Sequence, residues 1–309
     1  MSIKTATMQP GYSQTQPAWV KRWFNPEALT AWLFLLPSLV GFGVFYAVPA
    51  IRGLTVSFTN WDMLQAPQFV GLQNYARLIQ DPDFWNALKV TSLYVLWNIP
   101  IQTVIAILLA VLMDRLTHSS ILRGILVLPW LMPNVVVALL WLWLMDPTLG
   151  FINVVVKGMG FQTIPFLGSP DLAIPSIALI NIWRHMGYTA LLIFAGLQTI
   201  DRSLYEAGGV DGASEFQMFW GITLPLLRPV LVFVLVTSII GSFQIFDTVA
   251  ITTKGGPVSA TKVINWLIYE HAFVRFNMGY ATAISVVLFL ILVVVSFIQM
   301  RLMRAGEVD

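Results

Sequence analysis

Ile200-Asp201-Arg202-Ser203-Leu204-Tyr205-Glu206-Ala207-Gly208-Gly209-Val210-Asp211-Gly212-Ala213 is a polar stretch in an otherwise apolar chain. With nine residues between, Gly212 is followed by Ile222-Thr223-Leu224-Pro225, which closes the stretch. The runs on either side, about 173–197 and 227–251, have the length of roughly 20 apolar residues that a bilayer crossing needs. A polar stretch between two such runs is a loop at a membrane surface, and the rest of the chain repeats the pattern.

Hydrophobic residues make up 57% of the 309 and charged residues 10%, and the mean hydropathy is +0.77. A soluble domain carries about 25% charge, so the composition describes an all-α membrane protein. Apolar runs place about six transmembrane helices at about 30–50, 86–112, 122–145, 173–197, 227–251 and 281–303. Pro100 splits the second run and predicts a kink. Residues 1–29 read as a polar N-terminal tail, 30–304 as one membrane domain with its loop at about 198–225, and 305–309 as a C-terminal tail. No cleavable signal peptide is evident. Trp19, Trp23 and Trp32 fit an interfacial belt, and Leu72 to Ile79 reads as a short amphipathic piece on the surface. A net charge of +2 gives no reason to expect nucleic acid, and the absence of cysteine excludes disulfides and thiol chemistry.

Within the loop, Asp201 can accept from the free amides that start a short helix. Gly208 and Gly209 are poor helix formers and predict its end. Asp211 can cap a second short helix running through Phe216 and Trp220, and Gly212 permits a tight turn between the two. Pro225 and Pro229 suit the first turn of the following span. The product is a helix-turn-helix knob with Phe216, Met218, Phe219 and Trp220 as candidate anchors for a partner groove. The residues alone leave two readings open, a docking knob or an amphipathic loop resting on lipid headgroups.

The register of Glu206-Ala207, Gly212 and Ile222-x-Leu224-Pro225 resembles the cytoplasmic coupling loop of ABC importer permeases. The resemblance extends along most of the chain and is to the sugar-type group (maltose, oligosaccharide and glycerol-3-phosphate). Ser57-Phe58-Thr59-Asn60-Trp61, Phe69-Val70-Gly71-Leu72-Gln73-Asn74-Tyr75, Leu128-Pro129-Trp130 and Trp141-Leu142-Trp143 carry it upstream. Phe243-Gln244-Ile245-Phe246-Asp247, Thr253-Lys254-Gly255-Gly256-Pro257 and Gly279-Tyr280-Ala281 carry it downstream. One departure is Gly208, where the family usually has a second Ala.

The resemblance implies an ABC importer permease fold in a prokaryotic cytoplasmic membrane, with coupling helices and both termini cytoplasmic. A slight excess of Lys and Arg on that side agrees weakly. It implies a complex with a second homologous permease, two ATPase subunits that bind ATP and Mg, and an extracytoplasmic solute-binding protein. No cofactor is expected in this chain, which has no G-x-x-x-x-G-K-[ST] phosphate loop. Glu206, Ala207, Gly208, Asp211, Gly212, Ala213, Phe216, Ile222, Leu224 and Pro225 are the expected ATPase-coupling residues.

Polar residues inside spans are costly and invite a functional reading. Asn134, Asn181, Arg184, His185, Gln198, Gln244 and Asp247 are such residues, and Asn181, Arg184 and Tyr188 share a helix face. Amides and hydroxyls suit a saccharide path, and Trp183, Phe243 and Phe246 could supply flat surfaces for sugar rings. The competing reading is structural glue between helices. Arg184 could pair with Asp247 or attract an anionic substrate such as a glycerol phosphate. An ion-gradient transporter would need intramembrane carboxylates, for which Asp247 is the candidate. His118, His185 and His271 are scattered without metal-ligand spacing, and nothing in the sequence places a catalytic triad.

Overall fold

The apolar runs fold as helices in the computed structural model, which describes residues 26–116 and 119–304. Trp19, Trp23, most of the N-terminal tail, His118 and the C-terminal tail lie outside the described residues. The chain divides between Thr55 and Val56 into two compact units. The described part of the first is an apolar span, Ala28–Val56, whose last residue already belongs to the second unit. It is built from α1 (Pro26–Phe42), a π-helical turn Gly43–Ala47 and α2 (Val48–Val56). None of its most apolar window is buried, and Phe34, Phe45 and Tyr46 stand exposed along it.

The second unit holds the other spans. The amphipathic piece expected over Leu72–Ile79 is a helix, α3 (Gln73–Gln80), which buries Leu78. The second span is α4 (Pro82–Leu116), one helix that continues through Pro100. The third span departs from the single helix expected over 122–145. It is a pair, α5 (Ser120–Leu131) and α6 (Asn134–Leu144), bent by 92° at Met132-Pro133. Pro133 has no N–H to continue the helix, and its ring clashes with the carbonyl four residues back. After α7 (Phe151–Gly158) comes the fourth span, α8 (Pro170–Leu197). The loop contributes α9 (Arg202–Val210), α10 (Glu215–Met218) and α11 (Leu224–Leu226). The fifth span is interrupted at Gln244–Phe246, leaving α12 (Arg228–Phe243) and α13 (Asp247–Thr252). Then follow α14 (Ile264–Tyr269) and the last span, α15 (Met278–Arg304). Among the described residues, five helices are long and apolar enough to cross a membrane, and the bent pair makes a sixth when counted as one span. Among the described residues there is no strand, only one isolated bridge between Thr59 and Phe69.

The centre of the unit is α8, with 56% of its span window buried against 28% for α4, the fifth span and the last span. Its partner along most of its length is α4. Ala106 and Ala110 of α4 meet Ala190 and Ile193 of α8 in one buried cluster with Leu227 and Leu231. Small residues let the backbones approach, which supplies the van der Waals contact that holds helices together in lipid. Along another face of α8 runs α5, antiparallel. The Arg123 guanidinium lies 4.2 Å from the Phe194 ring centre. A Cβ on Gly187 would fall 1.7 Å from the Leu126 carbonyl oxygen, so α5 and α8 touch backbone to backbone there.

Candidate functional site

Where α5 breaks away from α8 a cavity of about 510 Å³ opens, lined from α4, α5, α6, α8, α12 and α13. That volume is in the range of about 300–1,000 Å³ usual for small-molecule sites. Several wall residues are placed by contacts between spans. Trp130, at the end of α5, stacks on Tyr188 of α8 at 4.2 Å with 7° between the rings. The last carbonyls of α5 have no helical donors. Arg184 Nη2 supplies them, donating to Trp130 O at 3.2 Å and Met132 O at 3.0 Å. Its Nη1 lies 3.0 Å from His185 Nε2.

Asn134 opens α6 and Asp247 opens α13. Asn134 Nδ2 donates to Asp247 Oδ2 at 2.5 Å. Arg184 and Asp247 therefore share the cavity without forming an ion pair with each other. Asn181 Nδ2 donates to Ile177 O and to Thr248 Oγ1, which ties α8 to α13. Gln244 is exposed at the interruption of the fifth span, and its side chain faces the cavity.

Of the sequence-predicted path residues, Asn134, Asn181, Arg184, Tyr188, Gln244 and Asp247 line this one cavity. Trp183 and Phe243 do not. Trp183 packs edge-on to Trp141 at 5.5 Å, and Phe243 is buried among Leu267, Ile284 and Leu288. Phe246, the third aromatic expected there, does line it, together with Tyr94, Trp130, Tyr188 and Phe233. Gln198 is not inside a span. It caps the end of α8 and donates to Asp114 Oδ1 at 2.5 Å. Sequence reasoning missed a buried polar chain across three spans. Asn98 donates to Ser242 Oγ at 3.0 Å, and Gln102 donates to Thr189 Oγ1 at 3.0 Å. The available signal was the spacing of Asn98 and Gln102, four apart on one helix face.

The loop forms the predicted helix-turn-helix, with two corrections. Asp201 caps α9, accepting from the Ser203 N–H at 3.0 Å, and that bond holds its carboxyl below the usual carboxylate range. The helix does not end at Gly208-Gly209 but runs through both to Val210. It ends on a C-cap in which Gly212, at φ +76°, takes the left-handed conformation. The Gly212 N–H reaches Gly209 O at 3.1 Å and the Ala213 N–H reaches Gly208 O at 2.9 Å. This is the double bond pattern that a left-handed residue makes possible, and glycine adopts it without Cβ strain.

Asp211 closes the first helix rather than opening the second. Ser214 opens it, accepting from the Gln217 N–H while Gln217 Oε1 accepts from the Ser214 N–H. The two arms are joined by Tyr205 Oη and Thr223 Oγ1 at 2.9 Å. Arg115, at the end of α4, forms an ion pair with Glu215. Glu206 and Ala207 are exposed, and Ile222 and Leu224 are half-buried. Phe216 and Trp220 stand 72% and 55% exposed, whereas Met218 turns inward onto the bare face of Gly208.

A profile of the family described as binding-protein-dependent transport system inner membrane component matches residues 102–305. The sulfoquinovosyl glycerol transport system permease protein SmoG of Agrobacterium fabrum is 33% identical over 295 residues, which are 94% of this chain and 96% of the relative. The trehalose/maltose transport system permease protein MalF of Thermococcus litoralis is 32% identical over 284 residues, covering 90% and 95%. In fold, the chain is similar to a chain of a bacterial ABC transporter involved in the import of the acidic polysaccharide alginate. The TM-score there is 0.81 at 24% identity, over 91% of this chain and 97% of the other.

Proposed function

Because the chain belongs to the family of binding-protein-dependent transport system inner membrane components, the permease proteins of ABC transporters, we propose that it forms half of the pathway of an ATP-driven saccharide importer. The cavity wall carries this reading. A stacked Trp130–Tyr188 pair offers a flat aromatic face to the apolar side of a sugar ring, and neutral amides and hydroxyls from four spans stand beside it. The charges in the wall are Arg184 and Asp247, and both are already bonded to protein groups. A neutral polyhydroxy cargo fits such a wall better than an anion. Gln244 and Tyr188 are the side chains best placed to meet it.

The charge on Arg184 is the observation behind a second reading, an anionic cargo of the glycerol phosphate type. A relative of Agrobacterium fabrum, 31% identical, is the sn-glycerol-3-phosphate transport system permease protein UgpA. Against that reading, two hydrogen bonds of Arg184 are committed to the carbonyls at the bend.

The chain works with a second homologous permease, two ATPase subunits that bind and hydrolyse ATP with Mg, and an external binding protein. The Glu206–Pro225 knob faces the cytoplasm together with both termini. Phe216 and Trp220 enter a groove of the ATPase, and closure of the ATPase pair turns the cavity from inward- to outward-facing. The exposed position of those two rings supports this docking over a loop lying on headgroups only in company with the Arg115–Glu215 tie, which holds the knob to the end of α4.

The test is uptake into proteoliposomes containing the assembled complex, with maltose, trehalose and glycerol 3-phosphate as probes. ATP-dependent accumulation of a neutral sugar is expected. Accumulation of glycerol 3-phosphate alone moves the assignment to the anionic reading. Uptake that persists with an inactive ATPase and collapses with an ionophore overturns both.

A further inference from the structure

Two spans are interrupted beside the same cavity, and their outer halves begin on residues that bond to each other. The third span bends by 92° before Asn134, and the fifth is broken before Asp247. The Asn134–Asp247 hydrogen bond, at 2.5 Å, joins them across 113 residues of sequence. Beyond it, α6 packs chiefly on α13. The inner half of the third span is fastened elsewhere. α5 is held to α8 by the backbone approach at Gly187, the Trp130–Tyr188 stack and the two Arg184 bonds. The bend thus separates a segment bound to α8 from a segment bound to α13.

The strengths of these attachments differ. A hydrogen bond to a carboxylate is about twice as strong as a neutral one, and a carboxylate inside a span is costly once it loses its partner. The ties of the outer halves to α8 are weaker. They are a neutral bond from Asn181 to Thr248 at 3.3 Å, the edge contact of Trp141 with Trp183, and non-directional apolar packing, of Val137 and Met145 near Ile180 and of Val249 near Ile174, Ile177 and Ala178.

We propose that α6 and α13 move as one element during turnover, latched by Asn134 and Asp247, and shift against α8 at the bend and at the interruption of the fifth span. Both residues are then positioning residues for opening the cavity and make no contact with cargo. The inference rests on the reading of the chain as a permease that changes conformation, and not on which cargo it carries.

The chain has no native cysteine, so an Asn134→Cys/Asp247→Cys pair is unique in it. In the assembled complex, the reduced pair should lower ATP hydrolysis about tenfold, a loss of about 1.4 kcal/mol of coupling. A short bis-methanethiosulfonate cross-link should form both without nucleotide and in the vanadate-trapped state, and it should restore turnover. Loss of the residual turnover on cross-linking would mean that the two helices must separate, and would overturn the latch. So would a reduced pair that turns over at the native rate.

Single substitutions give a second readout that survives a poorly folding double variant. With maltose as probe, Asp247→Ala should lower kcat and leave KM within about twofold, and Asp247→Asn should recover most of kcat, because an amide oxygen still accepts from Asn134. A raised KM at constant kcat in both variants would make Asp247 a cargo contact and sink the proposal. If the native complex moves no neutral sugar, the cargo assignment fails, while the ATP hydrolysis arm still decides the latch.

Discussion

The Glu206 knob and the cavity wall are both polar interruptions of an apolar chain, and they are held together in opposite ways. The knob is shaped by bonds between near neighbours: Asp201 to Ser203, Gly212 to Gly209, Ala213 to Gly208 and Ser214 to Gln217. Tyr205 to Thr223 closes the hairpin, and the Arg115–Glu215 ion pair fastens it to the end of α4. The cavity is shaped by bonds over great sequence distance. Asn98 meets Ser242 across 144 positions, Asn134 meets Asp247 across 113, and Gln102 meets Thr189 across 87. A knob built locally can keep its form while it is pushed by a partner. A cavity wall exists only while four spans stay packed, so it can change shape when they move. The same kind of lesion should therefore act on stability in one region and on coupling in the other.

Glycine substitution separates them most sharply. At Gly187 an added Cβ would meet the Leu126 carbonyl at 1.7 Å, backbone against backbone. Gly187→Val should cost about 3 kcal/mol or more and should appear as a fall in thermal unfolding temperature and in folded yield in detergent. Nothing lies within 4 Å of a Cβ on Gly209 in the knob. Gly209→Val should leave the unfolding temperature within about 2 °C, since exposed substitutions stay near ±0.5 kcal/mol. Equal losses at the two sites would erase the distinction.

A smaller effect is expected inside the polar chain. Gln102→Leu removes the bond to Thr189 and the long contact from Asn98. Interhelical hydrogen bonds in membrane proteins average about 0.6 kcal/mol and reach about 1.7, so a loss of about 1 kcal/mol should be read in the same unfolding assay. ATP-driven uptake should fall with it. The counterpart in the knob is Ser214→Ala, which deletes the reciprocal cap with Gln217. Caps are worth about 1 kcal/mol, here confined to a four-residue helix. The unfolding temperature should hold, and affinity for the ATPase should drop about fivefold, the equivalent of that energy. Binding of the isolated ATPase to nanodisc-held permease measures it. A lowered unfolding temperature with native affinity would reverse the comparison.

The same contrast explains what could be read from the sequence. The spans were legible because length and apolarity are properties of a single run. The Asp201 cap and the Gly212 turn were legible because their chemistry is complete within a few residues. The bend at Met132-Pro133 was missed as a bend. Its prolines were visible, but the free carbonyls it creates are met by Arg184, 52 positions away from Met132. Aromatic side chains suit sugars, which points to Trp183 and Phe243, yet neither lines the cavity. Which face of a span looks inward is set by neighbours that the sequence does not order. Asn98 and Gln102 stood in plain sight, but their partners lie on other spans. Propensity alone condemns two adjacent glycines, and so ends α9 too early. Met218 and Ile222 lean over Gly208, and its carbonyl receives the Ala213 N–H, so tertiary contact outweighs a cost of about 1 kcal/mol per glycine.

Gly208 also yields the smallest prediction. A Cβ there would lie 3.4 Å from both Ile222 Cδ1 and Met218 Sδ, at the edge of ordinary contact with the mobile ends of two flexible side chains. Gly208→Ala should therefore gain helix propensity of up to about 1 kcal/mol and give back part of it in packing. The net gain should be about 0.5 kcal/mol, too little to move global unfolding and enough to slow amide exchange across 202–210 about twofold. On the proposed docking through Phe216 and Trp220, which this substitution does not touch, the ATPase should still dock. Faster exchange, with Met218 displaced, would mean that the knob needs the bare glycine for the approach of its second arm. The first helix would then be held more by that arm than by its own caps.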